Sequence, residues 1–158
     1  MTYLLSSDGR DEDVVGAFER YRLHLEYHRD SFPASAYALA TSNWYFAASD
    51  HRCPHDARLT SAALTELSTS RAGPGQISLH VRLLGAYRDG HIELIYPQVF
   101  SYRLAAGDCA DGHRDWRYDE LRLSDAGHVI HEIEWWGPTE VGSWLIEASD
   151  VEFRWLPL

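Results

Sequence analysis

Lysine is absent from this sequence, and all 14 of its cationic residues are arginine. Lysine nucleophiles and Schiff-base chemistry are therefore excluded. Arginine has GC-rich codons and lysine does not, so the bias favours a bacterial source with a GC-rich genome.

Cysteine is scarce, with only Cys53 and Cys109 in 158 residues. Two cysteines without a secretory signal sequence are typical of a reduced intracellular protein and not of a disulfide scaffold. No apolar run approaches the roughly 20 residues that a membrane-spanning helix needs. We therefore expect a cytoplasmic protein that does not enter a membrane.

Positive charge is in deficit, because the formal net charge at pH 7 is −10. Proteins that bind the phosphate backbone present clustered cationic side chains, so nucleic acid is not an expected partner. An acidic surface favours solubility. Complementary charge could also steer a basic protein toward this one, so a basic protein is a candidate partner, although many acidic proteins use their charge for nothing more specific than solubility.

Apolar and aromatic residues are plentiful, at 45% and 13% of the chain. This composition suits one ordered core, and the length is that of a single domain. We therefore predict one domain over residues 1–158. Its first part, residues 1–56, is predicted to be a helical entry segment and loop, and residues 57–158 are predicted to form an antiparallel β body.

Helical spacing predicts one long helix over residues 10–29. Acidic side chains at positions 11–13 suit the first turn of that helix. Residues 34–49 fit either a helix or a strand, and we favour a short helix that leads into a loop at residues 50–56. The helix stripe consists of Val14, Phe18, Tyr21, Leu25 and His28.

A period of two replaces the helical period after Leu59. Residues 77–83 and 92–96 are predicted to pair across Asp89-Gly90, with Leu83 opposite Tyr96. A second hairpin is predicted from residues 116–123 and 129–136, with a bulge near Asp119-Glu120. With further strands near residues 100–104, 144–148 and 151–155, the predicted fold is α+β. One N-terminal helix and a second short one pack on a mainly antiparallel sheet of about six or seven strands.

Chemistry-bearing side chains are densest between His51 and Arg58. Zinc uses histidine and cysteine in tetrahedral sets, which would require this loop to meet the loop near residue 110. The His-x-Cys-x-His spacing is not that of a zinc ribbon, and the cysteines also suit apolar filling. The density of ligand-type side chains nevertheless keeps one alternative to a non-catalytic protein open. That alternative is a metal-dependent hydrolase centred on His51, His55 and Asp56. Its candidate zinc ligands are His51, Cys53, His55, Asp56, Cys109 and His113.

Two carboxylate pairs have the composition of acid/base sites, namely Asp119 with Glu120 and Glu132 with Glu134. Glycosidases use such pairs. Residues two apart in a strand share one face, so the second pair also fits a solvated strand face. On the opposite face, His131 fits a core histidine held by a hydrogen bond.

The segment from His55 to Leu59, followed by the 77–83 and 92–96 hairpin, resembles small bacterial β-rich domains of unknown function. These domains open their sheet with a His-Asp-x-x-Leu element, and some resemble immunity proteins of polymorphic toxin systems. The resemblance covers residues 55–104. It implies a non-catalytic protein-binding module that occludes a partner by surface complementarity, with structural roles for His55 and Asp56. The acidic net charge suits a basic partner such as a nuclease toxin, and this hypothesis requires no cofactor.

Overall fold

A computed structural model describes residues 1–5, 13–68, 71–137 and 140–158. Within these ranges the chain forms two α-helices, α1 (Val14–Tyr27) and α2 (Ala34–Ala40), with a 3-10 turn at Arg29–Ser31 between them. The predicted α+β class, with one N-terminal helix, a second short helix and a largely antiparallel sheet, is confirmed. The seven strands are β1 (Arg58–Leu67), β2 (Gln76–Leu84), β3 (Gly90–Ala105), β4 (Asp115–Leu123), β5 (Val129–Trp136), β6 (Val141–Ala148) and β7 (Glu152–Pro157).

Helix α1 begins later than its sequence pattern predicts. Asp13 is its N-cap, and the Asp13 carboxylate accepts a hydrogen bond from the Gly16 N–H at 2.9 Å. The rest of the predicted start, residues 10–12, lies outside the described residues. Val14 is 44% exposed although it belongs to the predicted apolar stripe. The buried face of α1 consists of Ala17, Tyr21 and Leu25.

The sheet has the strand order β2-β1-β4-β5-β6-β3-β7, and β2 also pairs with β3. Strand β3 has 16 residues. Its first half pairs with β2 and β7, and its second half pairs with β6. Strands β1 and β4 join through one residue pair, Arg58 with Asp115. The sheet is therefore curved, and among the described residues β1 and β4 meet only at this residue pair.

The β2–β3 hairpin exists as predicted, but its register differs. Leu83 pairs with Ile92 and not with Tyr96. The Gly85 N–H donates to the Gly90 carbonyl at 3.0 Å, so residues 85–89 form the connection in place of a two-residue turn. The register differs by four residues, an even number, and the same side chains therefore face the core.

The β4–β5 hairpin is confirmed, and its bulge lies at Arg117, where the pairing shifts between Trp116 and Tyr118. Beyond the bulge, Asp119 and Glu120 are both buried. The bulge therefore re-aims the following residues of β4, as such irregularities generally do.

One hydrophobic cluster joins the helices to the inner face of the sheet. The helices contribute Tyr21 and Leu39 to this cluster, among others, and the strands contribute Leu79, Tyr96 and Trp135. The core of the protein therefore lies between the helices and the face of the sheet that packs on them.

No helix within the described ranges is long and apolar enough to cross a membrane.

Candidate functional site

The segment from His51 to Arg58 is the last part of the connection from α2 to β1, and it contacts the β2–β3 connection and β4. At its first end, the His51 ring is paired with the Asp89 carboxylate and stacks on Tyr87, with ring centroids 4.1 Å apart. Both partners belong to the β2–β3 connection. His51 therefore fastens the loop to that hairpin.

His55 and Asp56 lie against β4, at its bulge. The Asp56 N–H donates to the Trp116 carbonyl at 2.8 Å, with Asp56 in the left-handed region at a φ of 63°. His55 Nδ1 is 3.1 Å from the Asp56 carboxylate, and His55 Nε2 is 3.3 Å from Arg117 Nη1. The His55 ring also meets the Tyr118 ring edge-on. These contacts hold the end of the loop on β4.

The cysteines and His113 occupy three different environments. Cys53 is buried, and its thiol donates to the Tyr45 carbonyl at 3.0 Å. Cys109 is exposed on the β3–β4 loop. The His113 ring packs edge-on against Trp135 at 4.4 Å, and burial lowers the pKa of His113.

The six candidate zinc ligands do not converge. Across the described ranges, which include all six, no three His, Cys, Asp or Glu side chains are grouped so that they can hold a metal ion. His51 is engaged by the β2–β3 connection and His55 by β4, and Cys53 is buried against its own loop. The geometry therefore gives no support to a metal-dependent hydrolase at this loop.

The two thiols should differ sharply in reactivity. Burial raises the pKa of Cys53 to about 11, so at pH 8 only about one Cys53 in a thousand carries the reactive thiolate. Cys109 is exposed. We expect Ellman's reagent to titrate one thiol per native chain at pH 8 and two in denaturant. Cys109→Ser should remove the native reaction, and a native count of two would contradict the burial of Cys53.

A buried polar network, which local sequence patterns do not predict, lies beneath this loop. The Asp119 carboxylate accepts hydrogen bonds from the Tyr45 hydroxyl at 2.7 Å, from Trp116 Nε1 at 3.0 Å and from His131 Nε2 at 2.9 Å. Because a carboxylate only accepts, Nε2 carries the imidazole proton. In the neutral ring, Nδ1 then accepts from the Tyr96 hydroxyl, 2.8 Å away.

This network is shielded from solvent. All five of its residues are buried. Burial, together with the nearby Asp119 charge, raises the pKa of Tyr45 and of Tyr96 well above the usual value. Three donors satisfy its carboxylate, so Asp119 is held in place and links the loop after α2, β4 and β5.

The other carboxylates proposed for acid/base chemistry are also engaged. Glu120 is fully buried and accepts the N–H groups of Tyr3 and Leu4 at 2.8 and 2.7 Å. Its other oxygen lies 2.9 Å from Arg122 Nε, and Arg122 also pairs with Glu132. Burial raises the pKa of Glu120, and the two N–H groups oppose that shift. Glu120 therefore anchors the N-terminal segment to β4.

The most accessible feature of the sheet is the outer side of β1, here called the β1 edge and defined as residues 59–67. Within the described ranges, β1 pairs with β2 along its length but meets β4 only at Arg58. Eight of the nine β1-edge residues are exposed. Between Leu59 and Leu67 the only charged residue is Glu66, and proline is absent. Edge strands are normally protected by charges, prolines or a cover, so this edge is suited to pairing with another strand.

Comparison of the chain with protein-family models, with curated proteins and with solved structures found no match. The relation to immunity proteins of toxin systems, indicated by the His55-Asp56 element, therefore stays a prediction.

Proposed function

We propose that this protein is a non-catalytic protein-binding module of the bacterial cytoplasm, and that it docks an extended segment of a partner against the β1 edge. The exposed, unprotected β1 edge carries the proposal. When a peptide adds to a sheet edge, backbone hydrogen bonds supply affinity, and alternate side chains supply specificity.

The side chains of the β1 edge suit such a partner. Leu64 and Leu67 are 41% and 63% exposed, which leaves apolar surface for an added strand to cover. Ala62 and Ala63, which precede Leu64, are small and allow another backbone to approach closely. Within the described part of the chain, the edge thus combines apolar anchors with backbone groups that no strand pairs.

The loop between His51 and Arg58 has a supporting role in this proposal. The Ala57 carbonyl accepts the Trp116 N–H at 3.0 Å, and Arg58 pairs with Asp115 at 3.3 Å. His55 and Asp56 hold the same point of β4. The loop therefore fixes the start of β1 against β4, and a strand whose position is fixed before binding loses less entropy when it binds.

The expected partner is basic. The net charge of −10 attracts cationic proteins, and Glu66 places a negative charge on the β1 edge itself. Complementary charge raises association rates and selects partners. An immunity-type inhibitor of a basic toxin needs this surface and no catalytic residue of its own.

Edge variants test the docking site. The tagged protein would be expressed in its source organism, and bound protein would be identified by mass spectrometry with cross-links. We expect a 1:1 partner cross-linked to residues 59–67. Ala63→Lys should weaken its binding at least tenfold, because a lysine blocks the edge and repels a basic segment. Ala63→Glu should weaken binding less, and the loop variant Ala110→Lys should not change it.

Two outcomes would contradict the proposal at different levels. A partner that binds wild type and Ala63→Lys equally would show that β1 is not the docking strand. If the neighbouring gene encodes a toxin, co-expression of this protein should protect cells, and Ala63→Lys should not. A partner that is not toxic would refute the immunity role while leaving edge-strand docking intact.

A further inference from the structure

A groove of about 640 Å³ lies between α1 and α2, away from the β1 edge. Apolar side chains from both helices and from the loop after α2 line it, and its volume is within the range of roughly 300–1,000 Å³ that is usual for small-molecule sites. The apolar lining residues include Phe18, Leu25, Tyr37, Ala40 and Phe46.

Two arginines and two glutamates border this groove, and one of the arginines pairs with both glutamates. Arg22 pairs with Glu19 at 2.8 Å and with Glu26 at 3.6 Å. Arg29 makes no ion pair within the described ranges, and its guanidinium carbon lies 6.0 Å from the centre of the Tyr37 ring. Among the described residues, the groove therefore presents an apolar channel with one available cation, at its Arg29 end.

We propose that this groove binds an amphipathic carboxylic acid, with its acyl chain between the two helices and its carboxylate on Arg29. Helix α1 runs for about 20 Å beside the groove, which accommodates an extended acyl chain. Arg29 presents several N–H donors to a carboxylate, and Tyr37 orients the guanidinium from one side. Glu19 and Glu26, the acidic residues that line the groove, are both engaged by Arg22. Acidic residues farther than about 8 Å from the head group are screened at physiological salt.

The charge of the head group gives the direct test. Dodecanoic acid and 1-dodecanol would displace the fluorescent fatty acid cis-parinaric acid from the intact protein. We expect wild type to bind the acid about fivefold more tightly than the alcohol, which is the size of an exposed ion pair. Arg29→Gln should abolish that preference and leave the affinity for the alcohol unchanged.

Two further variants separate the head-group site from the acyl channel. Arg20→Gln is the matched control, because Arg20 lies on α1 outside the groove and pairs with Asp13. It should keep the fivefold preference. Thr41 is exposed and lines the groove, so Thr41→Trp should weaken acid and alcohol together by filling the channel.

Circular dichroism would first establish that each variant is folded. Binding only above the critical micelle concentration, equal affinities for acid and alcohol in wild type, or an equal loss in Arg20→Gln would overturn the proposal. Capture of an amphipathic helix from a partner, without any saturable acid binding, would also overturn it and would identify the groove as a protein-docking site.

Discussion

Replacing Asp119 with alanine is expected to lower the free energy of unfolding by about 3–5 kcal/mol. The Asp119 carboxylate is the common acceptor for Tyr45, Trp116 and His131. Its removal leaves three buried donors without that partner, and each unsatisfied donor costs about 1–3 kcal/mol. Urea unfolding followed by circular dichroism and by tryptophan fluorescence measures the change.

Two companion variants show whether the network, and not the loss of a carboxylate as such, carries this cost. Asp115→Ala removes an exposed ion-pair partner of Arg58, so it should cost less than about 1 kcal/mol. Tyr96→Phe removes the hydroxyl that faces His131 Nδ1, so it should cost about 1–2 kcal/mol. If Asp119→Ala costs no more than Asp115→Ala, the buried network does not stabilise the fold as its geometry requires.

Sequence patterns predicted the element types of this chain because burial repeats with a simple period. Alternation over residues 129–136 identified β5, and its buried residues Val129, His131, Ile133 and Trp135 follow that alternation. The β2–β3 register was wrong because it assumed a two-residue Asp89-Gly90 turn. The longer connection shifted every pair by four residues, an even number, and preserved the buried face.

The polar network was beyond such patterns. His131 was predicted to be a core histidine, but its partners come from distant parts of the chain. Asp119 lies 12 positions away and Tyr96 35 positions away, and Tyr45 is 74 positions from Asp119. Asp119 also follows the bulge at Arg117, which changes the strand's alternation. Networks of this kind are set by tertiary packing.

The candidate metal ligands are the reverse case, in which residues that are close in sequence do not converge in the structure. Adjacency in sequence suggested that His51, Cys53 and His55 act together, but the loop distributes them among different neighbours. Successive residues of an extended segment point in different directions, so local density of ligand types does not produce a site. The β1 edge was missed for a related reason, since the change of period after Leu59 does not show which strands flank residues 58–67.

Trp135→Ala is expected to be the most destabilising single change in the β5 strand, at about 3–5 kcal/mol. The Trp135 ring is buried among Trp116, Trp144 and His113, with centroid distances of 5.3, 4.8 and 4.4 Å. Truncation to a methyl group leaves a large cavity between rings that strands and a loop hold in place. The surrounding side chains are too constrained to fill it.

The neighbouring residue provides a matched control. Trp136 is 54% exposed and its ring lies 4.9 Å from the Arg117 guanidinium, so Trp136→Ala should cost about 1 kcal/mol or less. Trp135→Phe should cost less than half as much as Trp135→Ala. Phenylalanine fills most of the space, and it also removes an indole N–H that has no acceptor within the described ranges. Equal costs for Trp135→Ala and Trp136→Ala would mean that the β5 face assignment is wrong, because adjacent strand residues point to opposite sides of the sheet.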